Sequence, residues 1–219
     1  MKLASQVQHL IKKEIILEWR SKYAFNGILL YVVSTIFVCY LAFKTTQPVV
    51  WNVLFWIIML FAAVNAIAKS FIQDSKGRLL YYYSIASPQA IIIAKTMYNI
   101  ALLLCITSLA FVVYKLVFAN SLGDPLLYIV SIFLGSLSFS TVFTMTSAIA
   151  SKAGNNGTLM AVLSFPLIIP LLMLLIKLSK NAMDGLDRSV SYNEIGVLLL
   201  INIIVISVSL LLFPYLWPD

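Results

Sequence analysis

Residues able to do acid–base, nucleophilic or metal chemistry are few in this sequence, and they are scattered. The chain has one histidine, His9, near its N-terminus. A metal site needs several ligands at workable spacing, and His9 has none nearby, so it reads as a polar surface residue. Cys39 and Cys105 both sit inside apolar runs, without a CxxC or metal-ligand partner, and read as small hydrophobes. The carboxylates avoid the apolar runs: Glu14 and Glu18 precede the first, and Asp74, Asp124, Asp184, Asp187 and Glu194 fall in the segments between them. Ion-coupled carriers need ionisable groups at depth, so a proton- or sodium-driven carrier and an intramembrane hydrolase are both disfavoured. The sequence has no GxxxxGK[ST], so it binds no nucleotide through a P-loop. Whatever work the chain does draws its energy from elsewhere.

The elements that would position any such residue are apolar helices. Of 219 residues, 62% are hydrophobic and 11% charged, whereas a soluble domain carries roughly 25% charge. Spanning a bilayer takes about 20 apolar residues per helix. Six runs qualify, at about 24–43, 49–68, 90–114, 126–150, 158–176 and 195–213. The expected fold class is therefore an all-α polytopic membrane protein, with residues 1–219 forming a single membrane domain. With the N-terminus inside, ten of the 15 Lys and Arg residues fall on the cytoplasmic side, which predicts that both termini are cytoplasmic. The net charge of +7 is explained by that bias and calls for no nucleic acid. Trp51, Trp56, Tyr114 and Trp217 suit an aromatic belt, although Trp56 lies deep for it. Before the first run, Leu3, Val7, Leu10, Ile11, Ile15 and Trp19 recur at helical spacing among charged residues. Residues 1–22 are thus expected to form an amphipathic interfacial helix, the alternative being an N-terminal arm that orders only against a partner.

Three local features go beyond spanning. The segment between the second and third runs carries Asp74, Gly77, Arg78 and Leu80, then three tyrosines, then Pro88 at the expected first turn of the next helix. It suits either a short interfacial helix offered to a cytoplasmic partner or a loop whose tyrosines anchor at the headgroups. Gly154 and Gly157 mark a tight turn, and Pro166 and Pro170 each remove a backbone donor, so the fifth helix is expected to kink or break. Ser136, Ser140, Thr144 and Ser147 share one face of the fourth run and point to close helix packing rather than to a polar path.

With these residues in view, the sequence resembles the CcmB family, the membrane subunit of an ABC-type complex in bacterial cytochrome c maturation. The match extends over nearly the whole chain, including the basic opening KKEIILEWRSK. It is densest at Gly77, Leu80, Pro88, Ala90 and Lys95, and again at Gly154, Gly157, Pro166, Pro170 and Leu171. Lys76 and Arg78 stand where family members often carry acidic residues beside the glycine, so no charge pairing is carried over.

The resemblance implies an ABC-2-type permease plan in the bacterial inner membrane, with Asp74, Gly77, Arg78, Leu80, Pro88 and Lys95 in an ATPase-coupling loop. It implies a separate ATPase of the CcmA type and partners of the CcmC, CcmD and CcmE types, and it is compatible with a homodimer. This chain would bind no cofactor: haem and ATP would be handled by the complex, whose output is release of haem-loaded chaperone. An ABC-2 exporter half for a lipid, polysaccharide or drug, and a non-transporting membrane scaffold, are the alternatives the residues leave open.

Overall fold

The computed structural model describes residues 3–21, 23–43, 47–68, 71, 86–118, 122–152 and 157–216. Among these, the chain forms α1 (Leu3–Ser21), α2 (Tyr23–Ala42), α3 (Pro48–Ile67), α4 (Pro88–Phe118), α5 (Pro125–Lys152), α6 (Gly157–Met183) and α7 (Tyr192–Leu216). A 3₁₀ turn, Arg188–Ser191, leads into α7. Each of α2 to α7 contains a stretch long and apolar enough to cross a membrane, giving six. Lipid offers backbone groups no hydrogen bonds, so a spanning segment must satisfy them within a helix. The chain is an all-α polytopic membrane protein.

Helix starts are written plainly in the sequence. α3, α4 and α5 each open on proline, at Pro48, Pro88 and Pro125. There the missing N–H costs nothing and the fixed φ suits the first turn. Asp124 caps α5, its Oδ1 accepting from the amides of Leu126 and Leu127 at 3.1 Å each.

α5 is the central helix. Of its membrane-crossing stretch 72% is buried, against 17–50% for the others, and α3, α4, α6 and α7 all pack on it. Gly135 shows how close this packing is: a Cβ there would lie 2.3 Å from the Trp56 ring. On the side of the bundle facing the 3₁₀ turn, Gly123 and Gly185 bring two backbones together. A Cβ on Gly123 would fall 2.5 Å from the Gly185 Cα, and Gly185 itself has φ +65°.

Two expectations from the sequence need correction here. Trp51, Trp56 and Tyr114 do not form an interfacial belt but are fully buried in the bundle. Trp51 packs on Tyr114 at 4.9 Å between ring centroids, Phe111 stacks on Tyr128 at 5.0 Å, and the Tyr114 hydroxyl donates to the Trp51 carbonyl at 2.9 Å. Trp56 donates its indole N–H to Ser179 Oγ at 2.8 Å. With their polar atoms supplied from inside, except the Trp51 indole nitrogen, these rings have less need of the headgroup zone. Secondly, of the kink or break expected in α6, the break does not occur: Pro166 and Pro170 both lie inside one continuous helix. In lipid, ending the helix would strand more backbone groups than the two donors the prolines remove.

Candidate functional site

The buried polar side chains fall into three groups along the bundle, and their chemistry differs. In the middle they are neutral. Asn99 donates to Thr144 Oγ1 at 2.8 Å, and Ser136 donates to Thr107 Oγ1 at 3.3 Å. Asn202 of α7 donates to Ser138 Oγ at 2.7 Å and accepts from Thr141 Oγ1 at 2.8 Å. Ser147 Oγ lies 3.5 Å from the Ile67 carbonyl, and Ser140 Oγ is buried without a hydrogen-bond partner among the described residues. Ser136, Ser140, Thr144 and Ser147 are thus all buried in helix contacts around α5. Apart from Ser140, these groups bind one another or a backbone carbonyl, and all of them are neutral.

At the end holding the 3₁₀ turn, charges appear. Arg188 grips Asp124, Nε to Oδ2 at 2.6 Å and Nη2 to Oδ1 at 3.1 Å. That guanidinium is the main cause holding the Asp124 carboxyl below its ordinary range, with the amide of Leu127 next. Glu194 lies in the first turn of α7, not in a loop as its sequence position suggested. It is buried there and paired with the exposed Lys177 at 2.7 Å.

The opposite end carries the one buried cation among the described residues. Lys95, two turns into α4, is 3% exposed. Its Nζ lies 3.3 Å from Glu14 Oε1 of α1 and 4.8 Å from the centroid of the Phe71 ring. Glu14 is also held by Lys13 at 3.0 Å. One charge in a helix base buried this deeply needs an ion-pair partner, and the amphipathic helix supplies it.

The same two helices are joined again nearby. Ser87, just before Pro88, donates its amide and its hydroxyl to Gln6 Oε1 of α1 at 3.2 and 3.0 Å. α1 is therefore tied to the root of α4 at two points, Gln6–Ser87 and Glu14–Lys95. Between them lies a small apolar cluster: Phe71, Ile91, Ile92, Ala148 and Phe213, with Leu10 packed against it. Phe71 meets Phe213 at 5.9 Å. Phe71 of the 69–87 connection thus meets α4 at Lys95 and α7 at Phe213, within a cluster that also takes in Leu10 of α1 and Ala148 of α5.

Of the residues singled out in the sequence, Pro88 opens α4 and Lys95 enters this cluster. Asp74, Gly77, Arg78 and Leu80 lie outside the described residues, as do Gly154 and Trp217. Gly157 opens α6, and Pro166 and Pro170 lie along it, apart from the Lys95 cluster. His9 is exposed, its Nδ1 2.6 Å from the Ser5 carbonyl, and among the described residues no group of His, Cys, Asp and Glu could hold a metal. Sequence reading missed Gln6, Glu14 and Phe71 as partners. For Glu14 the sequence offers only a weak signal: it is one of two acids on the apolar-striped helix, with Glu18, and Lys95 is a lone base inside an apolar run.

A protein-family model described as CcmB protein matches residues 5–215 of the chain. Comparison with curated proteins gives no match.

Proposed function

This chain belongs to the CcmB family, and from that membership and the Lys95 cluster we propose that it is the permease subunit that converts ATP hydrolysis by a separate subunit into haem delivery. Membership makes it a membrane component of a haem-exporting ABC system for cytochrome c maturation. In the proposed arrangement the ATPase is of the CcmA type, and the complex includes CcmC- and CcmD-type proteins. Its output is release of haem-loaded chaperone of the CcmE type. The complex lies in the bacterial inner membrane with both termini of this chain cytoplasmic.

The observation that carries the coupling reading is the buried Lys95–Glu14 pair beside Phe71. The connection 69–87 holds the proposed ATPase-contacting residues Asp74, Gly77, Arg78 and Leu80, and it runs into Pro88 and α4. A push on that connection reaches α4 directly and α1 through Gln6 and Glu14. Through Phe71 it reaches α7 and, via the shared cluster, the end of α5. Packed cores respond to such shifts by moving elements as units. On the far side of that motion, α6 lacks two backbone donors at Pro166 and Pro170, which with Gly154 and Gly157 gives a place to bend.

The neutral interior agrees with this division of labour. Among the described residues the buried charges stand at the two ends, Lys95 and Glu194, so no chain of titratable groups is available to couple an ion gradient.

Replacing Gly77 or Pro88 by aspartate tests the reading. The expected result is normal membrane insertion and normal recovery of the ATPase on an affinity-tagged chain, with c-type cytochromes lost. Normal maturation in both variants would remove the coupling role from this connection.

A further inference from the structure

The coupling role uses one side of α1 and leaves the other unused. On the inner side, Gln6 meets Ser87, Glu14 meets Lys95, and Glu18 accepts the Phe25 amide at 3.0 Å. Leu10 packs there against the Phe71 cluster, and Lys13 turns to Glu14. Both acids of the helix are thus drawn toward the bundle. Among the described residues of α1 the exposed charges are Lys12 and Arg20, both basic. They share a face with two apolar side chains. Lys12, Ile16, Trp19 and Arg20 follow at steps of four, three and one, the spacing of one side of a helix. Ile16 is 48% exposed and Trp19 77%.

The place of this face in the chain decides what it meets. α1 ends at Ser21 and α2, the first spanning helix, opens at Tyr23. Trp19 and Arg20 therefore stand about one helical turn from the point where the chain enters lipid. At that level a bilayer offers an apolar boundary to an indole and phosphates to a guanidinium. An aliphatic side chain and an indole set between two bases is the composition that an interfacial helix buries at the headgroups. The segregation of charge on α1 points the same way. With the acids held inward, nothing acidic on the exposed face opposes an anionic surface.

We infer that the face formed by Lys12, Ile16, Trp19 and Arg20 rests on the leaflet at its own end of the bundle and binds anionic phospholipid there. Lys12 and Arg20 hold the phosphates, their aliphatic stems lying along the apolar boundary. Ile16 and Trp19 sit among the upper acyl segments. Because α1 is tied to α4 through Gln6 and Glu14, this contact seats the helix that pairs with Lys95.

The test uses the full chain in vesicles of phosphatidylcholine and phosphatidylglycerol in equal parts, with brominated acyl chains on one lipid or the other. Bromine quenches an indole only at close contact. The Trp19 signal is the difference between each chain and the same chain carrying Trp19→Phe. Brominated phosphatidylglycerol should quench that signal about threefold more than brominated phosphatidylcholine. Lys12→Gln combined with Arg20→Gln should bring the two lipids level, and Lys12→Arg combined with Arg20→Lys should keep the preference. Unchanged emission from the remaining tryptophans, of which Trp51 and Trp56 are buried, shows that the variants have folded. Equal quenching of the parent by the two lipids overturns the inference, as does a preference that survives the glutamine pair or is lost in the charge-keeping pair. Absence of quenching by either lipid also overturns it, since the face would then stand off the bilayer and be left to a protein partner.

Discussion

Removing either partner of the Lys95–Glu14 pair should have unequal consequences, and the inequality follows from burial. The Lys95 side chain is 4% exposed and the Glu14 side chain 16%, with Lys13 also on Glu14 at 3.0 Å. Glu14→Gln takes from the buried Lys95 ammonium the carboxylate at 3.3 Å. Breaking a buried pair this way costs about 3–5 kcal/mol, and the partial exposure of Glu14 together with the Phe71 ring beneath Lys95 puts the expected loss near the lower end, about 3 kcal/mol. Lys95→Met removes the buried charge and fills its volume. Glu14 keeps Lys13 and some solvent, so this change should cost about 1 kcal/mol or less. For a chain of this size a kilocalorie moves the melting temperature by roughly 2–4 °C. Glu14→Gln should therefore melt about 6–12 °C lower than the parent chain, and Lys95→Met within about 4 °C of it. Once Lys95 is gone, adding Glu14→Gln should cost almost nothing further, a coupling of about 3 kcal/mol in the cycle. The assay is thermal unfolding of the purified chain in detergent, followed by size-exclusion fluorescence. Equal losses for the two single variants, or additive losses in the double, would refute the burial reasoning. A double variant that melts normally yet fails to mature cytochromes would show that the pair transmits motion as well as holding the helices.

Three further outcomes follow from the packing and the charged end. Gly135→Ala places a Cβ 2.3 Å from the Trp56 ring and should cost about 1–3 kcal/mol, measured by the same melt; Trp56→Phe in the same chain should recover part of it. Asn202→Leu removes hydrogen bonds to both Ser138 and Thr141; at about 0.6 kcal/mol per contact in membrane helices, the loss should be roughly 1 kcal/mol, and a neutral result would mean the pair is replaceable by packing. Asp124 has its carboxyl held below the ordinary range by Arg188. A lowered folded-state value means that its stabilisation is complete above the ordinary Asp value and is lost as pH falls through the lowered one. The parent chain should accordingly melt higher than Asp124→Asn near neutral pH, with the gap closing in acid; a gap independent of pH would assign the effect to the α5 cap alone.

Most of the fold could be read from the sequence because lipid imposes so simple a rule. Apolar runs of span length, separated by charge or by a proline ready to open a helix, gave the six helices, and the small hydroxyl residues of α5 marked the helix at the centre. The aromatic residues misled for a physical reason: Trp51 and Tyr114 sit near run ends, where a belt is expected. Sequence position alone cannot show that Tyr114 finds its acceptor on the Trp51 carbonyl 63 residues away. Glu194 misled likewise, since its neighbours read as a loop while its carboxylate turns inward to Lys177. The α6 prolines do not end their helix, because in lipid an ended helix would strand more backbone groups than the two donors they remove. The candidate site was half visible. Lys95 stood out as a charge inside an apolar run, but its tie to α1 depends on how a separate helix lies against the bundle. Gln6, Glu14 and Phe71 carry no motif that announces such a contact.

The central claim is that this chain serves haem delivery to c-type cytochromes as the membrane partner of an ATPase. Its most direct test is a haem stain for c-type cytochromes in cells lacking the chain, with and without the gene restored. The account predicts that all c-type cytochromes disappear, that haem stays bound to its chaperone, and that the restored chain reverses both. A full complement of c-type cytochromes in the deletion strain would contradict it, and would leave a six-span permease working on some other substrate.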